Sequence, residues 1–179
     1  MKVVIINGKG GSGKDTFVTM CKDVLGAERI YNISTVDFVK EVATMCGWDG
    51  TKTPKNRKFL SDLKDLLTEW DDVPLKKIMA EAVACSACAE ILGELDRSVL
   101  FIHCREPKEI DKLTKELQQY EPVTLLIRRE VAENVAQINH ADNDVLNYSY
   151  DYTIYNDSTL SWLRNEAKVF LRDYLKLDI

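Results

Sequence analysis

The sequence lacks two features that would point to a membrane or a nucleic acid. It has no run of about 18 apolar residues, the length that a membrane-spanning helix requires. It has no excess of positive charge, since the formal net charge is −5, and this argues against general binding to nucleic-acid phosphates. Residues 2–7 have the pattern of a strand, without the basic start and cleavage site of a secretory leader. We therefore expect a cytoplasmic protein with neither a membrane nor a nucleic acid as partner.

The five cysteines are odd in number, and nothing in the composition suggests secretion, so we interpret them as reduced thiols. Cys85 and Cys88 have the CxxC spacing, but no second pair and no pair of histidines accompanies them. They lie in an alanine-rich stretch with helical spacing. We interpret them as small core residues on a helix, with a redox or metal-binding pair as the alternative.

Apolar runs and helical stripes alternate along the chain of 179 residues, a length that suits one domain. The predicted strands are 2–7, 30–34, 98–104, 122–127 and 152–155. Because alternating strands and helices form parallel sheets covered on both faces, we predict an α/β fold with five parallel strands. The helical stretch 54–94 is longer than one crossover needs, which indicates an inserted helical region.

Local signals indicate where helices begin and which faces they bury. Thr53 before Pro54 is typical of an N-cap and a first helical residue. Thr35 is a second candidate cap, and Asp157 or Ser158 is a third. The helical spacing predicts the following core-facing sets: Phe38, Val42 and Met45; Phe59, Leu60, Leu63, Leu67 and Trp70; Ile78, Ala82, Cys85, Ala89 and Leu92; Leu160, Leu163, Ala167, Phe170 and Tyr174.

A glycine-rich segment follows the first predicted strand and precedes a predicted helix. It matches the phosphate-binding pattern GxxxxGK and consists of Gly8, Lys9, Gly10, Gly11, Ser12, Gly13 and Lys14. Glycines allow successive backbone N–H groups to surround an anion, and the start of the helix adds about half a positive charge. The lysine can reach the β- and γ-phosphates of a nucleotide. The alternative is a glycine-rich turn without a ligand.

Asp15 stands where the pattern usually has a serine or threonine that ligates magnesium. Thr16 can supply a hydroxyl, but it lies about 100° further around the helix. Asp15 can help to hold a hydrated Mg²⁺, or it can simply stabilise the first helical turn. The sequence leaves these two roles open.

The sequence resembles the phage-type deoxynucleoside monophosphate kinases, and more broadly the adenylate-kinase-like P-loop kinases. The resemblance rests on four segments: GSGKDT, STVDFVKEVA, FIHCREPKEIDKL and DYTIYNDSTLSWL. It implies one P-loop kinase-like domain over residues 1–179, with the insert 54–94 binding the acceptor and a short lid at 128–146. It also implies ATP and Mg²⁺ as cofactors and a small phosphorylated acceptor.

The resemblance also implies roles for several side chains. Arg105, at the end of the third predicted strand, would grip the acceptor phosphate; pairing with Glu106 or Glu109 is the alternative. Arg128 and Arg129 would neutralise charge on the transferred group, or form a solvated pair. From its position after the second strand, Asp37 could orient the acceptor or stabilise the first turn of its helix. Arg57, on the predicted inserted helix, could contact the acceptor or lie on a solvated helix face. The aspartate that the family has two residues before the arginine is His103 here.

Three functions fit these residues. The first is phosphoryl transfer from ATP to a nucleoside or deoxynucleoside monophosphate, through positioning and charge stabilisation. The second keeps the kinase and changes the acceptor, for instance to dephospho-coenzyme A or phosphomevalonate. The third is nucleotide binding without turnover, which Asp15 and His103 favour.

Overall fold

The computed structural model describes residues 1–134 and 144–179. Within them, five strands form one sheet in which every pairing is parallel. The strands are β1 (Lys2–Asn7), β2 (Ile30–Ser34), β3 (Val99–His103), β4 (Val123–Arg128) and β5 (Tyr152–Tyr155). The predicted sheet is confirmed, and each predicted strand boundary falls on or next to the observed one.

Helices connect the strands and cover both faces of the sheet. They are α1 (Lys14–Leu25), α2 (Asp37–Met45), α3 (Pro54–Asp71), α4 (Val73–Ile91), α5 (Pro107–Glu116), α6 (Glu130–Glu133) and α7 (Leu160–Val169). A turn of π-helix, Phe170–Tyr174, continues α7. Short 3₁₀ turns lie at Ala27–Arg29, Leu95–Arg97 and Gln118–Tyr120.

The strand order β2-β3-β1-β4-β5 puts β1 in the middle of the sheet. Ile6 lies opposite His103 of β3, and Asn7 lies opposite Leu126 of β4. The carboxyl ends of the three central strands therefore lie side by side. Open α/β sheets bind their ligands at this edge, where connections leave for opposite faces.

Alternate residues of the buried strands supply two cores, one on each face. The first packs β1 and β4 against α1 and α7, and it includes Val4, Ile6, Phe17, Ile127, Leu163 and Phe170. The second packs β1 and β3 against α4 and α5, and it includes Val3, Ile5, Ile78, Ile102, Ile110 and Leu113. Burial on both faces explains why β1 and β3 are continuous apolar runs rather than alternating ones.

The start of α3 agrees with the sequence, and the start of α2 does not. Thr53 Oγ1 accepts a hydrogen bond from Asn56 N at 3.2 Å, so the predicted N-cap is confirmed. The prediction that Thr35 caps α2 is wrong, because the cap position is Val36 and no side chain caps it. Thr35 is buried instead.

The start of α7 also differs from the prediction. Thr159, rather than Asp157 or Ser158, is the N-cap, and its hydroxyl accepts from Trp162 N at 3.2 Å. Asp157 is engaged elsewhere, because its carboxylate accepts from Glu130 N at 2.7 Å. The Asp157 carboxylate therefore binds the first residue of α6 instead of the start of α7.

The buried face of α2 is shifted from the predicted one. Val39 and Ala43 are its buried residues, whereas Met45 is 86% exposed. The apolar residues of this short helix form a broad stripe, and its main contacts are with α3 and α4. The prediction of Phe38, Val42 and Met45 as the inner face is therefore wrong in phase.

The inserted helices depart furthest from their predicted pattern. Lys64 is the buried residue of α3, while Trp70 is 76% exposed and Phe59 is also exposed. In α4, Ile78, Ala82 and Ala89 are buried as predicted, but Leu92 is exposed.

The five cysteines are free thiols, as the sequence predicts. The interpretation of Cys85 and Cys88 as core residues holds only in part. Cys85 packs at the edge of the second core, whereas Cys88 is exposed.

Residues 54–94 form α3 and α4 joined by a tight turn at Asp72, which adopts a left-handed conformation. The predicted lid 128–146 begins with the end of β4 and α6, and its residues 135–143 lie outside the described residues. No helix in the described ranges is long and apolar enough to cross a bilayer.

Candidate nucleotide-binding site

The glycine loop between β1 and α1 has a backbone that only glycine adopts without strain. Gly8, Gly11 and Gly13 have φ values of 150°, 83° and 96°. A Cβ on Gly8 would lie 2.3 Å from the carbonyl oxygen of Ile127, and one on Gly13 would lie 2.2 Å from Nδ2 of Asn156. The loop is therefore packed tightly against the ends of β4 and β5.

This packing predicts that two alanine substitutions in the same loop differ in their effect on stability. Gly8→Ala places a methyl group against fixed backbone and strains φ, so we expect a loss of about 3 kcal/mol in unfolding free energy. Gly10→Ala is the matched control, because a Cβ there meets nothing within 4 Å. Thermal unfolding checks the pair, and equal melting temperatures for both variants would contradict the geometry of the loop.

The Lys14 ammonium folds back onto the loop that precedes it. Its Nζ donates to the carbonyl oxygens of Gly8 at 2.5 Å and Lys9 at 3.1 Å. Ser12 closes the turn, with its N–H donating to the Lys9 carbonyl at 3.1 Å and its own carbonyl accepting from Asn156 Nδ2 at 2.9 Å. The lysine ammonium is thus held at the loop, close to where a bound phosphate would lie.

The beginning of α1 supplies the electrostatic part of an anion site. Gly13 is its N-cap, and the N–H groups of a first helical turn have no partner within the helix. Their positive end favours an anion in the loop. Asp15 projects into solvent from this turn with a side chain that is 94% exposed, whereas Thr16 is half-buried.

His103 lies at the end of β3 beside this turn. Its Nε2 is 2.9 Å from Asn32 Oδ1 and 3.9 Å from Asp15 Oδ1. Burial lowers the pKa of His103 below its usual 6.5, and the Asp15 carboxylate only partly opposes this. The imidazole is therefore neutral at pH 7, and its Nε2–H donates to the Asn32 amide oxygen, which can only accept.

Arg105 follows β3 at the same edge of the sheet as the loop. Its side chain is half-buried, and its backbone carbonyl accepts from Asn7 Nδ2 at 3.0 Å. Asn7 Oδ1 also accepts from Gly8 N at 2.7 Å, so the Asn7 side chain joins the loop to the backbone of Arg105. The backbone of Arg105 is therefore linked to the loop, and the predicted role of its side chain in acceptor binding stays a prediction.

Arg128 is held by a neighbouring acid. Its guanidinium donates to both carboxylate oxygens of Glu133, at 2.8 Å and 2.7 Å, and lies 5.4 Å from the ring centre of Tyr155. The hydrogen bonds to Glu133 raise the pKa of Arg128 and lower that of Glu133. Arg129 is exposed at the entry to α6. The sequence predicted both arginines near the transferred group, and that role stays a prediction.

Asp37 and Arg57 lie in different surroundings. The Asp37 carboxylate accepts from Ser34 N at 2.8 Å and pairs with Lys40 at 3.0 Å, both of which stabilise the start of α2, and its contact with an acceptor stays a prediction. Arg57 is exposed, and its Nε donates to the Lys52 carbonyl at 3.2 Å. No hydrogen bond of the described chain joins Arg57 to the loop.

Four residues that position this site were not singled out from the sequence. They are Asn7, Glu133, Tyr150 and Asn156. A local signal, a polar residue at or directly after the end of a strand, exists for Asn7 and Asn156. The others reach the loop from distant parts of the chain.

The residues fit a nucleotide with its magnesium better than a metal held by protein alone. Within residues 1–134 and 144–179, no three His, Cys, Asp or Glu side chains converge as a metal site. Asp15 and Thr16 present hard oxygens beside the loop, and Mg²⁺ at such sites uses one or two of these together with phosphate oxygens. Ser12 Oγ is buried without a partner in the loop, so a further hydroxyl remains available there.

No family model and no curated protein matches the sequence. Among solved structures, an APS kinase mutant from Mycobacterium tuberculosis is 14% identical, with 96% of each chain covered and a TM-score of 0.45. A sugar kinase from a Janibacter species is 18% identical, covering 97% of this chain and 95% of its own, with a TM-score of 0.45. A shikimate kinase from Acinetobacter baumannii in complex with shikimate is 14% identical, covering 98% and 94%, with a TM-score of 0.45.

Proposed function

We propose that this chain transfers the γ-phosphoryl group of ATP to a small phosphorylated acceptor, a nucleoside or deoxynucleoside monophosphate. The observation that carries the proposal is that the buried amide of Asn7 joins the backbone of Arg105 to Gly8, the loop residue whose carbonyl holds Lys14. A transferase of this kind needs one cationic group for each of two anionic substrates at adjacent strand ends.

In this proposal the loop amides and Lys14 bind the phosphates of ATP, and Arg105 binds the acceptor phosphate. Asp15 and Thr16 would hold Mg²⁺ through their side-chain oxygens, and the ion would supply positive charge against the phosphates of the nucleotide. The attacking oxygen of a monophosphate is already ionised, so no general base is required. Catalysis then consists of positioning and charge stabilisation.

The choice of a monophosphate as acceptor rests on two supports. One is the resemblance of GSGKDT and the later segments to the monophosphate kinases. The other is the basic start of α3, where Lys52, Lys55, Arg57 and Lys58 are all exposed. An anionic acceptor that entered beside α3 would be attracted by this charge.

A coupled assay for ADP formation tests the proposal. The wild-type chain with MgATP is offered a panel of ribo- and deoxyribonucleoside monophosphates, with dephospho-coenzyme A and phosphomevalonate as competing acceptors. We expect turnover that depends on a nucleoside monophosphate. Turnover with dephospho-coenzyme A or phosphomevalonate alone would show that the proposed acceptor is wrong. ATP binding without turnover on any acceptor of the panel would contradict phosphoryl transfer.

The second candidate is a nucleotide-binding protein without turnover. Two observations favour it: Arg128 is already engaged by Glu133, and a neutral His103 stands where the monophosphate kinases have an acid. The same assay distinguishes the two functions, because a binding module holds MgATP and leaves ADP at its background level.

A further inference from the structure

The side chain of Asn7 lies at the last position of β1, fully buried between the glycine loop and the end of β3. We propose that Asn7 is a positioning residue that couples nucleotide binding in the loop to the segment carrying Arg105, with Tyr150 as its support. The inference rests on the proposed function for its meaning in catalysis. Its geometric content, a mechanical link between two strand ends, can be tested without any acceptor.

Every hydrogen-bonding group of the Asn7 amide is used. Oδ1 accepts from Gly8 N at 2.7 Å, and Nδ2 donates to the Arg105 carbonyl at 3.0 Å and to Tyr150 Oη at 2.7 Å. A buried amide that satisfies one acceptor and two donors is fixed in orientation, because turning it over would break all of these bonds.

These bonds extend the link to the lysine of the loop. Lys14 Nζ donates to the carbonyl oxygen of Gly8, whose own N–H donates to Asn7. The path from the ammonium to the Arg105 backbone therefore runs through one residue, Gly8, and one side chain, Asn7. A phosphate that draws Lys14 away from the Gly8 carbonyl acts directly on the residue that Asn7 holds.

Tyr150 fixes the amide from the other side. Its hydroxyl accepts from Asn7 and donates to the Val145 carbonyl at 2.8 Å, while the Val145 side chain is fully buried. Burial raises the pKa of Tyr150, so the hydroxyl keeps its proton at neutral pH. The stretch around Tyr150 is held further by Tyr148, whose hydroxyl donates to Asp111 of α5 at 2.9 Å.

Only an amide satisfies this arrangement. An aspartate at position 7 would still accept from Gly8 N, but it would turn an acceptor towards the Arg105 carbonyl. The Tyr150 hydroxyl would then donate to the new carboxylate and leave the Val145 carbonyl without its donor. Asn7→Asp therefore changes the link with almost no change in volume, and Tyr150→Phe removes one hydroxyl and keeps the ring.

Hydrogen–deuterium exchange with and without MgATP tests the link. In the wild type, we expect MgATP to slow exchange in residues 8–16 and also in residues 104–110. In Asn7→Asp, we expect MgATP still to slow exchange in the loop. In residues 104–110, the factor by which MgATP slows exchange should fall about tenfold relative to wild type. Tyr150→Phe gives an intermediate loss, and adding it to Asn7→Asp has little further effect, since both act through one amide.

Kinetics give the second readout if the proposed transfer occurs. Asn7→Asp should lower kcat by about 10²-fold through misplacement of the reacting groups. Tyr150→Phe, which adds no charge beside the phosphate loop, should lower kcat less, with the Kd for MgATP within about threefold of wild type. A purely structural role would lower the melting temperature and leave kcat unchanged well below it.

Failure of the inference and failure of the proposed function give different results. Wild type without turnover on any acceptor overturns the function, whereas the exchange experiment still decides on the link. The link is overturned if MgATP does not slow exchange at residues 104–110 in wild type. It is also overturned if MgATP slows exchange there equally in Asn7→Asp. If Asn7→Asp does not fold, Tyr150→Phe decides alone, and unchanged protection in that variant overturns the inference.

Discussion

Replacing Lys14 with alanine is expected to lower kcat/KM for ATP-dependent transfer by about 10²- to 10³-fold, the usual effect of deleting one charged donor to a reacting group. The structure gives the reason, because Nζ is held at the loop by two carbonyl oxygens, Gly8 O and Lys9 O. Binding of MgATP should weaken together with turnover. Isothermal titration for binding and the coupled assay for turnover measure both.

The control for this variant is Lys22→Ala, in the last turn of the same helix α1. It removes the same charge from the chain, far from the phosphate site, and should leave kcat/KM unchanged. Unfolding temperatures of both variants separate loss of chemistry from loss of structure. Wild-type affinity for MgATP in Lys14→Ala would show that the nucleotide is bound elsewhere.

Replacing Lys64 with methionine is expected to destabilise the chain by about 3 kcal/mol, because it leaves acids without their counter-ion in a largely buried site. Lys64 Nζ donates to Glu106 at 2.6 Å and to Glu109 at 2.8 Å, and its side chain is only 10% exposed. For a chain of 179 residues this loss lowers the melting temperature by roughly 10 °C.

Lys58→Met is the matched control on the same helix. Lys58 pairs with Asp62 at 2.7 Å, but its side chain is 75% exposed. Such a surface pair contributes little, so we expect a change within about 0.5 kcal/mol. Equal losses in Lys58→Met and Lys64→Met would contradict the assignment of Lys64 as a buried ion-pair centre.

The loss in Lys64→Met should depend on pH. Burial raises the pKa of Glu109 above its usual 4.5, and Lys64 opposes that rise. Without the lysine, the folded-state pKa rises further, so ionised Glu109 costs stability as the pH increases above 4.5. The difference in melting temperature from wild type should therefore be larger at pH 7.5 than at pH 5. The double variant Lys64→Met, Glu109→Gln should regain part of the loss at pH 7.5.

The sheet could be predicted because its signals are local. Continuous apolar runs such as residues 3–6 mark strands buried on both faces, and Thr53 with Pro54 marks a helix start. The phosphate loop is equally local, since glycine, lysine and the following helix lie within a few residues. These features need no knowledge of what lies across the fold.

The helical insert could not be predicted at the level of its faces. The apolar pattern of α3 placed Trp70 inside, whereas the structure buries Lys64 and leaves Trp70 exposed. The sequence pattern shows which residues prefer burial. It does not show that Glu106 and Glu109, at the start of α5, lie close enough to pair with Lys64. The Lys64 charge can be buried there because two carboxylates accept its hydrogen bonds.

The positioning residues of the site were missed for a related reason. Asn7 meets Arg105 and Tyr150 across most of the chain, and Asn156 reaches back to Ser12. No periodicity or motif connects such distant residues. Their roles follow only from the strand order, which places the end of β1 between β3 and β4.

The central place of β1 also has a consequence for synthesis on the ribosome. The strand Lys2–Asn7 is synthesised before both of its partners, which begin at Val99 and Val123. At ordinary translation rates the strand waits on the order of ten seconds for them. During that time the apolar side chains of Val3–Ile6 have no sheet to join, and exposed apolar segments of this kind are prone to non-specific association. Sheets of such non-local pairing also fold slowly once released.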